Sequence, residues 1–254
     1  MSASYPTKIL LAMKSGNCCA FSNCRKALTS DGLKSNPAVI GEAAHIYGES
    51  PGTKTKPASA RYQPDMTNEQ RNHYDNLIYL CPSCHTKIDK QEHDYPAESL
   101  LSLKEEHELW VSEQLDQGMS EVSFAEMEVA AKALESGKHS SKSDNFVVIP
   151  PEEKVNKNGL SDSVRSYIAM GLIKSNEVER FLASMATNVD EEFPERLRDG
   201  FKTKYLEVKE TFSGDELFMS MLDFAQAGQK KFSQQSASLA ILSHLFQLCE
   251  VFEK

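Results

Sequence analysis

The sequence predicts an α+β protein in which a small N-terminal domain, held together by cysteine pairs, precedes an all-helical C-terminal domain. Two pairs of closely spaced cysteines lie near the front of the chain, short strand patterns fill the segment between them, and only helical patterns occur from Ser161 onward. A chain of 254 residues, 40% of them apolar, can form one large or two small domains. We expect three segments, at residues 1–118, 119–160 and 161–254.

Charge and hydropathy restrict the classes of function. Residues 1–90 carry 11 Lys and Arg against 7 Asp and Glu, whereas residues 91–254 carry 17 against 30. This asymmetry predicts that any nucleic acid meets the N-terminal part, although two solvated surfaces of different composition would give the same counts. No run of about eighteen apolar residues and no secretory signal is visible, so we expect a cytoplasmic protein with no membrane partner.

The cysteine spacing predicts a structural zinc site. Two close pairs are present, Cys19-x₄-Cys24 and Cys81-x₂-Cys84, and each pair brings two sulfurs within reach of one tetrahedral ion. The alternatives are a redox dithiol at the second pair or plain buried thiols, but a redox pair would need a βαβ context that the sequence lacks. Cys18 could also replace Cys19 as a ligand.

Between the cysteine pairs the pattern is strand, loop, strand, knuckle and helix. Residues 40–46 predict a short strand that carries His45 near its end, and residues 75–80 predict a second strand that leads into the second cysteine pair. A helix opens at residues 84–89. The Thr67-x-x-Gln70 pattern is a capping box and predicts a further short helix before the second strand.

Three blocks of this region together resemble the HNH endonuclease family, above all the branch that acts as effectors in bacterial anti-phage defence. The blocks are Gly41-Glu42-Ala43-Ala44-His45-Ile46, Asn76-Leu77-Ile78-x-Leu80-Cys81-x-x-Cys84-His85 and Lys104-x-x-His107-x-x-Trp110. The resemblance covers about residues 14–115. It implies a ββα-metal fold and an enzyme that hydrolyses phosphodiester bonds in a DNA substrate with one divalent ion.

The resemblance also implies roles for single residues. His45 matches the general base that activates water, Asn76 the amide that orients it, and His85 a ligand of a catalytic Mg²⁺ or Mn²⁺. Many members carry Asp directly before the first histidine as a second ligand, and here that position is Ala44. The candidates to replace it are Glu42, favoured because it shares a strand face with Ala44, and Asp89, one helical turn past His85.

Basic residues flanking the strands are candidates for nucleic-acid binding. Arg61 and Arg71 lie in the insertion between the two strands, where they could clamp backbone phosphates. Lys54 and Lys56 lie in the same insertion, and a merely soluble loop is an equal alternative for this pair. His107, beside Trp110, is expected to pack the following helix on the core.

Helical patterns account for the remainder of the chain. One helix opens after Pro96 and is expected to end at Gly118 as its C-cap, and an acidic, Ala-rich helix is expected from Phe124 to Leu134. Ser136 to Ser163 are expected to form a linker with a short extended piece at 146–149. Further helices are predicted after Ser175, from Glu195 to Lys209, after Gly214 and from about Ser233 to Phe252.

The last helix is apolar over most of its circumference, which predicts that part of its Leu239–Phe252 surface meets another chain. The alternative is a central helix wrapped by the others.

The C-terminal domain also resembles those of ABC three-component conflict systems, through segments such as Val178-Glu179-Arg180-Phe181 and Phe193-Pro194-Glu195-Arg196-Leu197. That resemblance implies an ABC-type ATPase assembly as partner, and because this chain has no phosphate-binding loop the ATPase must be a separate protein. The alternative function is a catalytically inactive zinc-binding module that binds nucleic acid or protein.

Overall fold

The computed structural model describes residues 3–30, 38–134, 151–248 and 252. The chain divides into two compact units, Met1–Val111 and Ser112–Lys254, so the division falls within a long helix and not at Gly118. No helix in the described part of the chain is long and apolar enough to cross a membrane.

The first unit combines short strands with helices. Its strands form two antiparallel pairs, β1 (Thr29–Ser30) with β2 (Ala38–Val39) and β3 (Glu42–His45) with β4 (Leu77–Leu80). In the second pair Glu42 lies opposite Leu80 and His45 opposite Leu77. Its elements in chain order are α1 (Tyr5–Lys14), β1 (Thr29–Ser30), β2 (Ala38–Val39), β3 (Glu42–His45), α2 (Asn68–Asn72), a 3₁₀ turn (Tyr74–Asn76), β4 (Leu77–Leu80), α3 (Pro82–Lys90) and α4 (Ala97–Glu121).

Strand β4 is the centre of the first unit. All four of its residues are buried, because α1 and α3 both contact it and β3 pairs with its edge. A continuous apolar run is what a strand covered on both faces requires. The hydrophobic core contains Leu77 to Leu80 together with Leu11 of α1, Ile88 of α3 and Leu100 of α4.

Local sequence signals explain several of these elements. The predicted capping box before α2 is present, with Thr67 accepting from the backbone of Gln70 and the Gln70 side chain accepting from the backbone of Thr67. Helix α1 was not predicted from the sequence, although Ser4 caps it by accepting a hydrogen bond from the Thr7 N–H at 3.1 Å. Its short apolar stretch gave no clear helical period, and its buried residues are Leu11 and Met13.

The second unit is helical throughout its described residues, as predicted. Helix α6 (Pro151–Lys157) lies inside the segment predicted to be a linker, and its Lys154 and Val155 are buried, so the linker prediction is wrong there. The extended piece predicted at 146–149 lies outside the described residues. The helices are α5 (Phe124–Leu134), α6 (Pro151–Lys157), α7 (Asp162–Leu172), α8 (Ser175–Asn188), α9 (Phe193–Val208), α10 (Gly214–Gln226) and α11 (Phe232–Gln247).

Helix α11 is the central helix of the second unit. Every residue from 235 to 246 is buried, because α5, α7, α8 and α10 all contact this helix. Phe252 beyond its end packs on Phe246 with ring centroids 5.2 Å apart. For the described residues of this helix, the predicted apolar face for another chain is therefore wrong, and the structure shows the alternative of a central, wrapped helix.

Small residues make this complete burial possible. Gly118 is not a C-cap, since α4 continues to Glu121; a Cβ at Gly118 would lie 3.0 Å from the carbonyl oxygen of Phe232 in α11. A Cβ at Gly171 of α7 would likewise lie 2.8 Å from the carbonyl oxygen of Leu239. The absence of side chains at these two positions lets α4 and α7 approach the backbone of α11 closely.

We expect Gly171→Ala to destabilise the second unit. Helix propensity alone would favour alanine by about 1 kcal/mol, but overpacking against the α11 backbone costs about 1–3 kcal/mol, so the urea midpoint of unfolding should fall. Thr203→Ala, at an exposed position of α9, gains propensity without a new contact and should leave the midpoint unchanged or slightly higher. A higher midpoint for Gly171→Ala would contradict the close packing.

Candidate active site and metal centre

Four cysteines of the first unit form a cluster that can hold a metal ion. The sulfurs of Cys19, Cys24, Cys81 and Cys84 all lie within 4.8 Å of one another, and those of Cys24 and Cys81 are 3.8 Å apart. Four thiolates about 2.3 Å from a tetrahedrally bound zinc ion lie about 3.8 Å from each other. The two predicted pairs therefore converge with the spacing that such an ion needs.

Cys18 is not part of this cluster. Its thiol donates a hydrogen bond to the carbonyl oxygen of Ser15 at 3.2 Å, and burial raises the pKa of the Cys18 thiol to about 11. The open choice between Cys18 and Cys19 is thereby decided for Cys19, because the side chains of adjacent residues point in different directions.

Burial and mutual hydrogen bonding shift the pKa values of three of the four thiols. Burial raises the pKa of Cys19 to about 11 and also raises the pKa of Cys84. Burial acts in the same direction on Cys81, but hydrogen bonds from Cys84 and the neighbouring thiols prevail and lower its pKa. A divalent ion would displace the remaining thiol protons and compensate the negative charge of the thiolates.

The second cluster of chemical interest contains His85, Glu42 and Asp89. His85 Nδ1 lies 2.7 Å from a carboxylate oxygen of Glu42, and His85 Nε2 lies 3.3 Å from a carboxylate oxygen of Asp89. Hydrogen bonding to Asp89 raises the pKa of His85, and Glu42 acts in the same direction against the effect of burial. The structure thus brings both candidate ligands onto His85, one at each ring nitrogen.

Arg61 contacts this cluster, and its side chain is buried, with 6% of it exposed. Its guanidinium group donates to the carbonyl oxygens of Ile46 and Ile88 at 2.7 Å each and to Asp89 at 3.2 Å. Because these bonds point inward and join the end of β3 to α3, Arg61 is not available for backbone phosphate. The prediction that it clamps nucleic acid is wrong, and it instead holds Asp89 in place.

The side chain of Arg71 is likewise engaged in hydrogen bonds within the fold. It is 2% exposed and donates to the carbonyl oxygens of Gly48 at 2.9 Å and Met66 at 3.0 Å, and to that of Gln63. The predicted phosphate contact is therefore wrong for Arg71 as well, because a buried guanidinium must satisfy its donors internally. Lys54 and Lys56 are exposed, and their contact with nucleic acid stays a prediction.

Asn76 holds the loop that follows β3. Its amide oxygen accepts from the Tyr47 N–H at 2.9 Å, and its amide nitrogen donates to the carbonyl oxygens of Tyr47 at 3.0 Å and Arg71 at 2.9 Å. The side chain is thus fully engaged with backbone groups on both sides of the loop. This geometry supports the proposed positioning role of Asn76 near His45.

His45 has a direct partner that the sequence analysis missed. Its Nε2 lies 3.3 Å from the amide oxygen of Asn72 at the end of α2. The Asn72 amide nitrogen donates to the carbonyl oxygen of Asn68 at 2.9 Å, which turns the amide oxygen toward the imidazole. A neutral His45 then carries its proton on Nε2 and keeps Nδ1 free to accept one. The capping box of α2 was the signal that a structured element stood here.

A cleft of about 310 Å³ lies beside β3 and β4. His45, Glu42 and Tyr79 line it, and Lys8 of α1 lines it as well. A larger cavity of about 490 Å³ lies elsewhere in the unit and contains the carboxylates of Glu69 and Asp75. Because the larger cavity contains neither His45 nor Glu42, the smaller cleft is the candidate active site.

His107 is structural, as predicted. It is 2% exposed, its Nε2 lies 3.0 Å from the carbonyl oxygen of Ser15, and its ring stacks on Trp110. Arg25 contacts its other ring nitrogen, and the Arg25 guanidinium lies 3.9 Å from the centre of the Trp110 ring. This group fastens α4 to the loop after α1.

An antiparallel strand pair followed directly by a helix, with a histidine on each part and a cysteine cluster at the junction, defines a ββα unit. In agreement with this, residues 19–92 match the family model described as HNH endonuclease. The match covers the cysteine cluster, β3, β4 and α3, and it supports a nuclease in general. No curated protein sequence matches the chain.

We expect the wild-type protein to retain a metal ion through purification and Cys81→Ser to lose it, since three thiolates and one hydroxyl bind far more weakly. Cys18→Ser is the matched control and should retain the ion, because Cys18 lies outside the cluster. Elemental analysis of both variants gives the answer. Equal metal content in the two variants would refute the four-cysteine site.

Proposed function

We propose that this protein is a metal-dependent HNH endonuclease that hydrolyses phosphodiester bonds in DNA. The observation that carries the proposal is that His45 and Glu42 line one cleft and that Glu42 contacts His85 of α3 at 2.7 Å. A potential general base and one member of a potential metal-binding pair therefore line the same cleft. A general base and a bound divalent ion are two groups that promote hydrolysis of a phosphodiester by activated water.

His45 is proposed as the general base. Its Nδ1 is left free by the Asn72 contact at Nε2 and can accept a proton from water. Asn76 holds the Tyr47 backbone two residues further along the chain, so it limits the movement of the segment that carries His45. Asn72 and Asn76 are thus positioning residues, one for the ring and one for the backbone.

Two metal sites are proposed, with different chemistry. The four thiolates suit zinc and would stabilise the fold. Glu42 would offer the carboxylate oxygen that suits Mg²⁺ or Mn²⁺, and His85 Nδ1 would add a nitrogen donor beside it. The bound ion would stabilise negative charge on the phosphate. Asp89 then accepts a hydrogen bond from His85 Nε2 while Arg61 holds it from behind, which orients the imidazole toward Glu42.

This division of roles predicts an order of effects on metal affinity. Glu42→Gln should weaken Mn²⁺ binding most, because it removes a ligand, whereas Asp89→Asn should weaken it about 10- to 100-fold, as loss of an orienting partner does. Glu105→Gln, at an exposed position of α4, should change nothing. Calorimetric titration of zinc-loaded protein with Mn²⁺ measures all three, and a larger loss for Asp89→Asn than for Glu42→Gln would reverse the assignment.

We expect His45→Ala to abolish cleavage while leaving the zinc content and the melting temperature unchanged. The imidazole is replaced by a methyl group, so no group remains at this position to take the proton from water; loss of a general base costs about 10²–10⁴-fold in rate. His93→Ala removes an exposed histidine outside the cleft and should cut like the wild type. A plasmid-nicking assay with Mg²⁺ or Mn²⁺ compares them, and wild-type nicking by His45→Ala would refute the mechanism.

The second candidate is a catalytically inactive zinc module that binds nucleic acid or protein. The observation in its favour is Ala44, which is fully buried in the core and supplies no carboxylate where many HNH enzymes have one. Glu42 offers a replacement only if it and His85 hold the ion together. Absence of cleavage by the wild-type protein, with zinc bound, would favour this second candidate.

Control by a partner through the C-terminal unit, including an ABC-type ATPase, and a role in anti-phage defence both stay predictions. The surface first assigned to the partner is buried, since Leu245 is 0% exposed. Leu245→Asp would therefore unfold the unit instead of releasing a partner, and within the described bundle a partner would contact the outer helices. Co-purification from the native host, with and without residues 161–254, tests this role.

A further inference from the structure

The cleft is lined by a basic side chain from outside the segment that matches the HNH family. Lys8 of α1 lines the cleft together with His45 and Glu42, whereas the family match begins at residue 19. Its side chain is exposed, and no hydrogen bond or ion pair engages its ammonium group among the described residues. The position is available to a ligand.

Helix α1 holds this lysine firmly in relation to the cleft. Leu11 and Met13 anchor the helix in the core, Ala3 before it is buried in the same core, and the helix contacts β4. Cys18 and Cys19 follow shortly after, so the chain leaves α1 directly for the cysteine cluster. The helix that carries Lys8 is therefore packed on the same core as the strand that carries His45 and Glu42.

Positive charge beside the proposed metal ion would favour the entry of a phosphodiester into this cleft. Glu42 places a carboxylate in the cleft wall, and an anionic substrate is repelled by it unless positive charge lies nearby. The first unit has three arginines, Arg25, Arg61 and Arg71. Arg61 and Arg71 are engaged with backbone carbonyl groups, and Arg25 lies over Trp110. None of the three is free to provide that charge.

We propose that Lys8 binds a backbone phosphate of duplex DNA in the cleft, and that α1 is thereby a part of the substrate site that the HNH segment alone does not contain. This inference rests on the proposed function, because it takes the cleft to be the DNA site. An ammonium group suits the task, since it makes a strong contact with phosphate and carries no sequence information. Lys8 binds and positions the substrate, and His45 takes the proton.

The test measures binding apart from cleavage. In the full-length, zinc-loaded protein with His45→Ala, a fluorescein-labelled DNA duplex is titrated by anisotropy at several salt concentrations. Adding Lys8→Ala should raise Kd about fivefold and lower the slope of log Kd against log salt by about one, as loss of one phosphate contact does. Lys8→Arg should restore both quantities. Lys26→Ala, an exposed lysine outside the cleft, should leave both unchanged.

Cleavage kinetics with His45 intact give the second readout. Lys8→Ala should raise KM and change kcat less than about twofold, because the lost contact stabilises the bound substrate and the transition state equally. An unchanged Kd and salt slope for Lys8→Ala, or an equal loss for Lys26→Ala, overturns the assignment of Lys8 while cleavage by the wild type upholds the nuclease. Binding that depends on Lys8, without any cleavage by the wild type, upholds the assignment of Lys8 and overturns the nuclease. Absence of both binding and cleavage overturns both assignments.

Discussion

The first unit depends on the cluster of four cysteines. The unit has only short strands, and the cluster joins the loop after α1, which carries Cys19 and Cys24, to the start of α3, which carries Cys81 and Cys84. His85 follows Cys84 directly, so its place beside Glu42 is determined by the same link. A small domain gains little from core burial alone; a bound ion at this junction would contribute folding free energy and the geometry of the candidate active site at once.

Buried polar side chains hold the segments of the candidate active site together. Arg61 joins the end of β3 to α3 and holds Asp89, while Asn76 joins the two ends of the loop between the strands. A buried guanidinium or amide is costly unless its donors are satisfied, and these side chains satisfy them with backbone carbonyl oxygens. They are thereby removed from the surface, and contacts with a substrate anion fall to lysines such as Lys8.

The second unit is organised by a different constraint, the close packing of helices around α11. A helix that is apolar on all sides can be buried in a small bundle only if its neighbours approach it closely, and Gly118 and Gly171 allow that approach. The apolar character of α11 therefore reflects its central, buried position in its own unit. The described residues of this helix therefore leave no surface for another chain.

The sequence by itself determined the features that local chemistry encodes: the two cysteine pairs, the strand–knuckle–helix order around His85, the capping box of α2 and the helix from Phe124 to Leu134. Each depends on residue spacing or turn chemistry within a few positions, which the sequence displays directly. Only the tertiary structure decided that Arg61 points inward, that Asn72 contacts His45, that α11 is wrapped, and that Lys8 lies in the cleft. These facts depend on which distant segments are neighbours, because burial and hydrogen-bond partners are set by long-range packing and leave no periodic trace in the chain.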